Sequence, residues 1–297
     1  MKIGWIWTAV VLAILSMGFA QQRAPISTPV QDAAGQHHQR GVEFHLKRCL
    51  DQASQEYASA LEIDPPKEVT AAQMALARRF LPRLFTTRSE PFRLKDFAVI
   101  FHPSRRLVAY HLFWEDDIDF PEDNDPCDHE LLWVEYAEDH KTITGVSTYF
   151  HGRILRGGDE AIQEATAHGG RPRVNVQWGK HGSLLLGWER QPIVADNDDA
   201  EKKFYPLDRQ ITLLDYNRGT YEKLSKEGRR LPEHPLGKGW PLKFVGSWQD
   251  FTKFSVPVDP GQLLSSKQMI RVSRWNNATI NQRFLRYNFR PKTEWPD

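Results

Sequence analysis

Cysteine is scarce in this sequence: two residues, Cys49 and Cys127, stand in 297. At most one intrachain bridge can form. The short signatures of common enzyme sites are also missing. There is no HExxH helix for zinc, no GxSxG elbow for a serine nucleophile and no glycine-rich phosphate loop. No repeat recurs along the chain and no low-complexity tract interrupts it. A formal net charge of +1 gives no global pull toward nucleic acid or membrane, so any electrostatic function must come from local asymmetry. A hydrophobic content of 40% is enough to build a real core, in one large β-rich domain or two ordinary ones.

The long apolar run lies at the start. Lys2 precedes an uncharged stretch reaching Ala20, with an apolar centre TAVVLAIL and with Gly18 and Ala20 placed for signal peptidase. A signal peptide over residues 1–20 and a secreted or periplasmic protein are expected. Counted from Ile3, the run just reaches the length of a membrane span, which leaves an uncleaved anchor as the other reading. No cysteine follows the run, so lipidation there is excluded. In an exported chain the two cysteines predict a Cys49–Cys127 bridge, worth roughly 4 to 5 kcal/mol in the chain-entropy model. Two separate thiols are the alternative.

Residues 21–40 are polar, carry Pro25 and Pro29, and read as a flexible leader. A helical segment is expected over 41–88, with helical spacing in 41–61 and again in 68–85. From residue 89 onward β-branched and aromatic runs are broken by turn residues about every ten positions. Strand pairs are expected at 97–101 with 107–114, 131–136 with 142–150, and 174–178 with 184–188. Further strands are expected at 211–214, before a DYNRG turn, and at 242–245 and 269–275. The polar stretches 156–170 and 190–203 read as surface loops. This succession predicts a mainly β fold, an antiparallel β-sandwich over 89–297 with the short helical segment packed on it.

Charge is concentrated at two poles. Between Glu115 and Glu130 lie nine carboxylates in sixteen positions, with no Lys or Arg among them. Packed this closely they repel, so they are either solvated or gathered around a cation or a positive partner. The opposite pole is residues 267–292, basic and aromatic with no acid. On an alternating pattern such residues mark a solvated face, and nucleic acid is not the expected partner. The acidic stretch lacks the glycine of an EF-hand loop. In a strand, however, His129, Leu131, Trp133 and Glu135 share one face, and His129 and Glu135 then face Asp117 across the loop. Oxygen-rich surroundings with one His suit calcium, magnesium or manganese better than zinc. A solvated acidic loop, with His129 capping a strand, is the alternative.

The segments AYHLFWEDD, DHELLW, VSTYFHG and RPRVNVQWGKHGSLLL, within residues 107–186, resemble the secreted necrosis-inducing, ethylene-inducing protein family and the related vacuolar-sorting-associated family. The resemblance implies a β-sandwich with a divalent cation in a cavity that engages sugar headgroups of membrane lipids. It carries the strand-end Asp onto Asp117, an Asp-His pair onto Asp128 and His129, and a Trp onto Trp133. The family's second acidic ligand falls on Leu132. Its Glu after Trp falls on Val134, with Glu135 one place later. The resemblance further implies that His151 and His181, each followed by Gly, line the same cavity. The expected metal set is therefore Asp117, Asp128, His129 and Glu135, and the expected ligand-contacting set is Trp133, His151 and His181.

Two function classes are open. One is a secreted, non-enzymatic binder of a glycan or lipid headgroup, touching the membrane surface peripherally, through an acidic cleft with or without a cation. The other is a metal-dependent secreted hydrolase in which His129 or His181 passes protons to a metal-activated water.

Overall fold

The computed structural model describes residues 29–118, 128–194, 210–226, 248–267, 269–276 and 291–297. The expected signal peptide, most of the acidic loop, Cys127 and the strand expected at 242–245 lie outside the described residues.

Two helices, α1 (Pro29–Leu46) and α2 (Leu50–Ile63), pack as an antiparallel hairpin. The first begins inside the stretch expected to be a leader. Pro29 suits a first helical position because its missing N–H has no partner there anyway. Val42 and Phe44 of α1 close on Ala53 and Tyr57 of α2, so packing rather than propensity holds this polar sequence helical. Cys49 sits in the connection between them as a free thiol. Its Sγ points at the Lys47 carbonyl, 3.6 Å away, which corrects the expected disulfide.

The third helix, α3 (Ala71–Arg79), starts on a capping box formed by Thr70 and Gln73. The helix expected over 68–85 ends early because Pro82 drives its predecessor out of helical geometry. Beyond Pro82 the chain continues as a strand, β1 (Arg83–Thr86).

Six strands make the larger sheet. β2 (Leu94–Phe101), β3 (Leu107–Trp114), β4 (Asp128–Tyr136), β5 (Ile143–Phe150) and β6 (Arg153–Arg156) form an antiparallel meander. A short late strand, β12 (Ile270–Val272), joins β2 in parallel. A four-stranded sheet has the order β11 (Val256–Val258), β1, β7 (Arg173–Val176), β8 (Ser183–Leu185), and in it β1 and β7 are parallel. Between these in the chain, β9 (Pro192–Val194) and β10 (Gln210–Thr212) make a two-stranded ladder. The hairpin pairings expected for the meander are present, but each main sheet contains one parallel pair, so the purely antiparallel expectation is corrected.

Helix accounts for a share of the described chain similar to that of strand, more than a mainly β fold with a helical N-terminus requires. The stretch expected as a loop at 156–170 contains α4 (Asp159–Ala167), which buries Ala161 and Ala165 one turn apart and stops at Gly169 and Gly170. The expected DYNRG turn lies within α5 (Leu213–Lys226). Thr212 and Asp215 cap that helix reciprocally, the Asp215 N–H donating to Thr212 Oγ1 at 3.1 Å. Two short helices, α6 (Trp248–Phe251) and α7 (Gly261–Lys267), come after it.

β3 is buried along its whole length, and β4 nearly so. Such continuous apolar runs belong to strands covered on both faces. On one face Val108, Tyr110, Leu112 and Trp114 of β3 and Leu132 and Val134 of β4 meet Leu84, Val174 and Leu185 of the smaller sheet, together with residues of α3, α4 and α7. On the other face Leu107, Ala109, Leu131 and Trp133 are covered by Ala34 of α1, Leu61 of α2 and Trp275. Removing one large side chain from either layer, Trp133 for example, costs roughly 3 to 5 kcal/mol. This double burial fixes the register, because a slip of one residue would exchange the two faces.

Candidate functional site

The site forms where three chain segments meet the start of β4. The residues after β3 run beside the turn joining β7 to β8, with the Ile118 N–H donating to the Gly179 carbonyl at 2.6 Å. Gly179 has φ +63°, and a Cβ there would lie 2.7 Å from Ile118, so only glycine permits this approach. The segment before β2 is tied to the same turn. Trp178 Nε1–H donates to the Ser89 carbonyl at 2.8 Å, and the Gly179 N–H donates to Glu90 Oε2 at 2.9 Å. Tyr221 of α5 closes the rear, its hydroxyl donating to the Trp178 carbonyl at 3.2 Å.

His181 is at the centre and wholly buried. Its Nδ1 lies 2.9 Å from Asp128 Oδ2 and its Nε2 lies 3.0 Å from Glu90 Oε1. The ring stacks on Trp114, with centroids 4.4 Å apart and planes inclined by 8°. Burial works against a charged ring, but the Glu90 carboxylate and the hydrogen bonds to Asp128 and Glu90 outweigh it and push the imidazole up to about 10. His181 itself has φ +53°, a left-handed conformation that is uncommon for a non-glycine residue. The turn is held by the His181 N–H donating to the Gln177 carbonyl at 2.8 Å and the Gln177 N–H donating to the Gly182 carbonyl at 3.0 Å.

Around this buried centre lie charged groups that still reach solvent. Lys180 forms an ion pair with Asp117, each side chain about one-sixth exposed. Asp128 is exposed to a similar degree. Lys292 belongs with His111 and His129 instead: it stands 3.4 Å from Glu130 Oε1, donates to the His129 carbonyl and lies over the Tyr149 ring. Burial pushes the Glu130 carboxyl up to about 8, against the opposing pull of the Lys292 ammonium.

The expected metal set does not come together. Asp128 pairs across the ladder with Trp114 and His129 with Phe113, so the two neighbours belong to opposite faces of the sheet. His129 turns toward His111, Nε2 to Nδ1 at 3.0 Å, and lies against the Phe113 ring. Burial holds both imidazoles neutral, His129 well below the usual histidine range and His111 down to about 3, with the Lys292 charge adding to each effect. Glu135 lies six residues along β4, on the order of 20 Å away at the usual strand rise, and faces Arg156 at 3.5 Å. Asp117 and Asp128 lie at the same end of the sheet but are engaged by Lys180 and His181. Among the described residues no three His, Cys, Asp or Glu side chains are gathered to hold a metal ion. The implied divalent cation therefore does not fit the donors as they stand.

Of the expected ligand-contacting residues, His181 is at the centre of the cluster. Trp133 is fully buried in the outer core layer. His151 occupies the β5–β6 turn at φ +45° and bonds the Tyr216 hydroxyl of α5 at 3.1 Å. Sequence reasoning did not single out Glu90, Trp114, Lys180, Lys292 or His111. For His111 a signal was present, since a histidine inside the apolar run 107–114 must be buried. For Glu90 there was none, because it meets His181 from 91 residues away.

The sequence matches no protein-family model and no curated protein. Among solved structures, the chain is similar to the crystal structure of necrosis and ethylene inducing protein 2 from the causal agent of cocoa's witches' broom disease. Identity is 14%, covering 41% of this chain and 70% of that one, with a TM-score of 0.28. At that level the two chains share too little for the chemistry of one to be carried to the other. Among the described residues, no helix is long and apolar enough to cross a membrane.

Proposed function

We propose that this chain is a secreted binding protein, its two main sheets forming the layers of a sandwich, that takes a polyhydroxyl ligand, a glycan or the sugar headgroup of a lipid. The proposed contact rim is Asp117, Lys180 and Asp128. The observation that carries this reading is the graded burial of the cluster: the Asp117–Lys180 pair and Asp128 remain partly exposed beside a fully buried His181. Sugar hydroxyls both donate and accept hydrogen bonds, and a rim of carboxylate acceptors beside ammonium donors answers both.

The geometry does not support the hydrolase reading equally. A general base must hold a free lone pair near neutral pH. His181 has both ring nitrogens on carboxylates and is held protonated, whereas His129 is buried against His111, away from solvent and from the rim. Neither is poised to relay a proton.

Binding to immobilised glycans and to liposomes bearing glycosylated or plain phospholipid headgroups tests the proposal. Sugar-dependent binding that weakens at least tenfold in Lys180→Met and Asp117→Asn is expected. Equal retention of wild type and both variants on all surfaces would remove it.

A further inference from the structure

We propose that the imidazolium of His181 is the resident cation of this carboxylate cluster, standing between Glu90 and Asp128 where a metal ion would have to lie, and that the cluster takes no divalent metal. A neutral imidazole has one donor nitrogen and one acceptor nitrogen. Both nitrogens of His181 face carboxylate oxygens at hydrogen-bond distance. Glu90 serves only as an acceptor there: its Oε2 takes the Gly179 N–H at 2.9 Å, and its Oε1 takes the Phe92 N–H at 3.2 Å as well as the His181 ring. Nε2 must accordingly carry a proton. On the other side Asp128 Oδ2 lies 2.9 Å from Nδ1, an oxygen acceptor placed for a second ring N–H, so Nδ1 donates as well. A ring that donates from both nitrogens is a cation. Its flat contact with Trp114 puts that charge over the electron-rich indole face, where a cation is attracted.

The backbone agrees with a fixed role for this ring. Left-handed φ at a buried, non-glycine residue is strained and persists where surrounding contacts over-determine it. A divalent ion between Glu90 and Asp128 would have to displace the ring from both carboxylates and from Trp114. Asp117, the nearest further carboxylate of the expected set, is already paired with Lys180. Occupation of the cluster by this ring is independent of which ligand the rim takes.

The full-length protein, stripped with EDTA and dialysed, is titrated calorimetrically with calcium, magnesium and manganese, and its ring nitrogens are observed by ¹⁵N NMR. Expected are protons on both nitrogens of His181 at neutral pH and no metal binding that depends on Asp128. Binding that survives in Asp128→Asn would place the ion elsewhere and leave the proposal standing. Stoichiometric binding lost in Asp128→Asn would overturn it. So would a bare ring nitrogen on His181 in the metal-free wild type, a readout that needs no variant to fold.

Discussion

Asp128 and His129 are adjacent in the chain yet serve opposite faces of the six-stranded sheet. Asp128 reaches the buried His181 at 2.9 Å, whereas His129 reaches His111 at 3.0 Å. The strand period of two makes this separation unavoidable once Leu132 and Val134 are committed to one core layer and Leu131 and Trp133 to the other. One short segment thus presents a charged imidazolium partner inward and a neutral imidazole pair outward.

That division predicts a stability maximum near about pH 6.5, the ordinary histidine value shared by all three rings in the unfolded chain. His111 and His129 titrate low when folded, so below this pH the unfolded state binds more protons and stability falls as pH drops. His181 titrates high when folded. Its contribution is complete below about pH 6.5 and is lost as pH rises toward its folded value of about 10. Each ring contributes a slope of up to about 1.4 kcal/mol per pH unit. Urea denaturation across a pH series should give a dome, and His111→Phe should flatten its acid side. A profile that rises steadily to alkaline pH would contradict the assignment of His181.

Glu130 shapes the alkaline side too. Its carboxyl keeps its proton in the fold up to about pH 8, whereas in the unfolded chain it ionises near the usual carboxylate value. The folded state therefore binds more protons between these limits, and stability declines as pH rises through them. Glu130→Gln removes the titration and should make the stability profile less steep between about pH 5 and pH 8. An unchanged slope in paired melting curves would show that Lys292 keeps the carboxylate ionised throughout.

Breaking the His181 clasp from its buried side should be the more damaging substitution. Glu90 is 5% exposed and Asp128 17%. Removing one charge of a buried pair costs roughly 3 to 5 kcal/mol where the other charge is left uncompensated. Glu90→Gln leaves Asp128 on the ring and should cost less than that, and Asp128→Asn, with water to replace it, less again. The double variant should lose less than the two singles together, since both act on the same ring. Additive losses in chemical denaturation would mean that the two carboxylates do not share a partner.

Parts of this arrangement were legible in the sequence. The strands of the meander announce themselves as aromatic and β-branched runs between turn residues, and the β2–β3 and β4–β5 hairpins are implied by them. His181 and Asp128 enter through the family resemblance, one as a ligand contact and the other as a metal ligand. The illegible part is long-range: Glu90 precedes the first strand of the meander and carries no local mark of its role. Two helices were missed for local reasons. The DYNRG stretch has turn residues, but Thr212 caps it as a helix and buried Tyr216 and Tyr221 hold it. In α4 the buried face is alanine, too small to register as an apolar stripe. The metal set rests on the charge density of the acidic stretch and on the family resemblance, and neither records that a two-residue period sends neighbouring side chains apart.

The helical hairpin offers a test in which the same substitution should have opposite effects at two sites of one helix. Gly35 and Gly41 both lie in α1, and replacing either by alanine favours the helix by roughly 0.8 to 1 kcal/mol through lower backbone entropy and better propensity. At Gly35 nothing lies within 4 Å of the added methyl group, so that gain should appear whole. At Gly41 the methyl would run into the Tyr57 ring, which is itself buried against α1 with its hydroxyl 3.3 Å from His45 Nδ1. A ring so confined cannot swing aside freely, and overpacking of this kind costs roughly 1 to 3 kcal/mol, enough to exceed the propensity gain. Gly35→Ala should therefore raise the melting temperature and Gly41→Ala should lower it. If both variants stabilise the protein, Tyr57 does not pack against Gly41 as described, and the approach of α1 to α2 has to be redrawn.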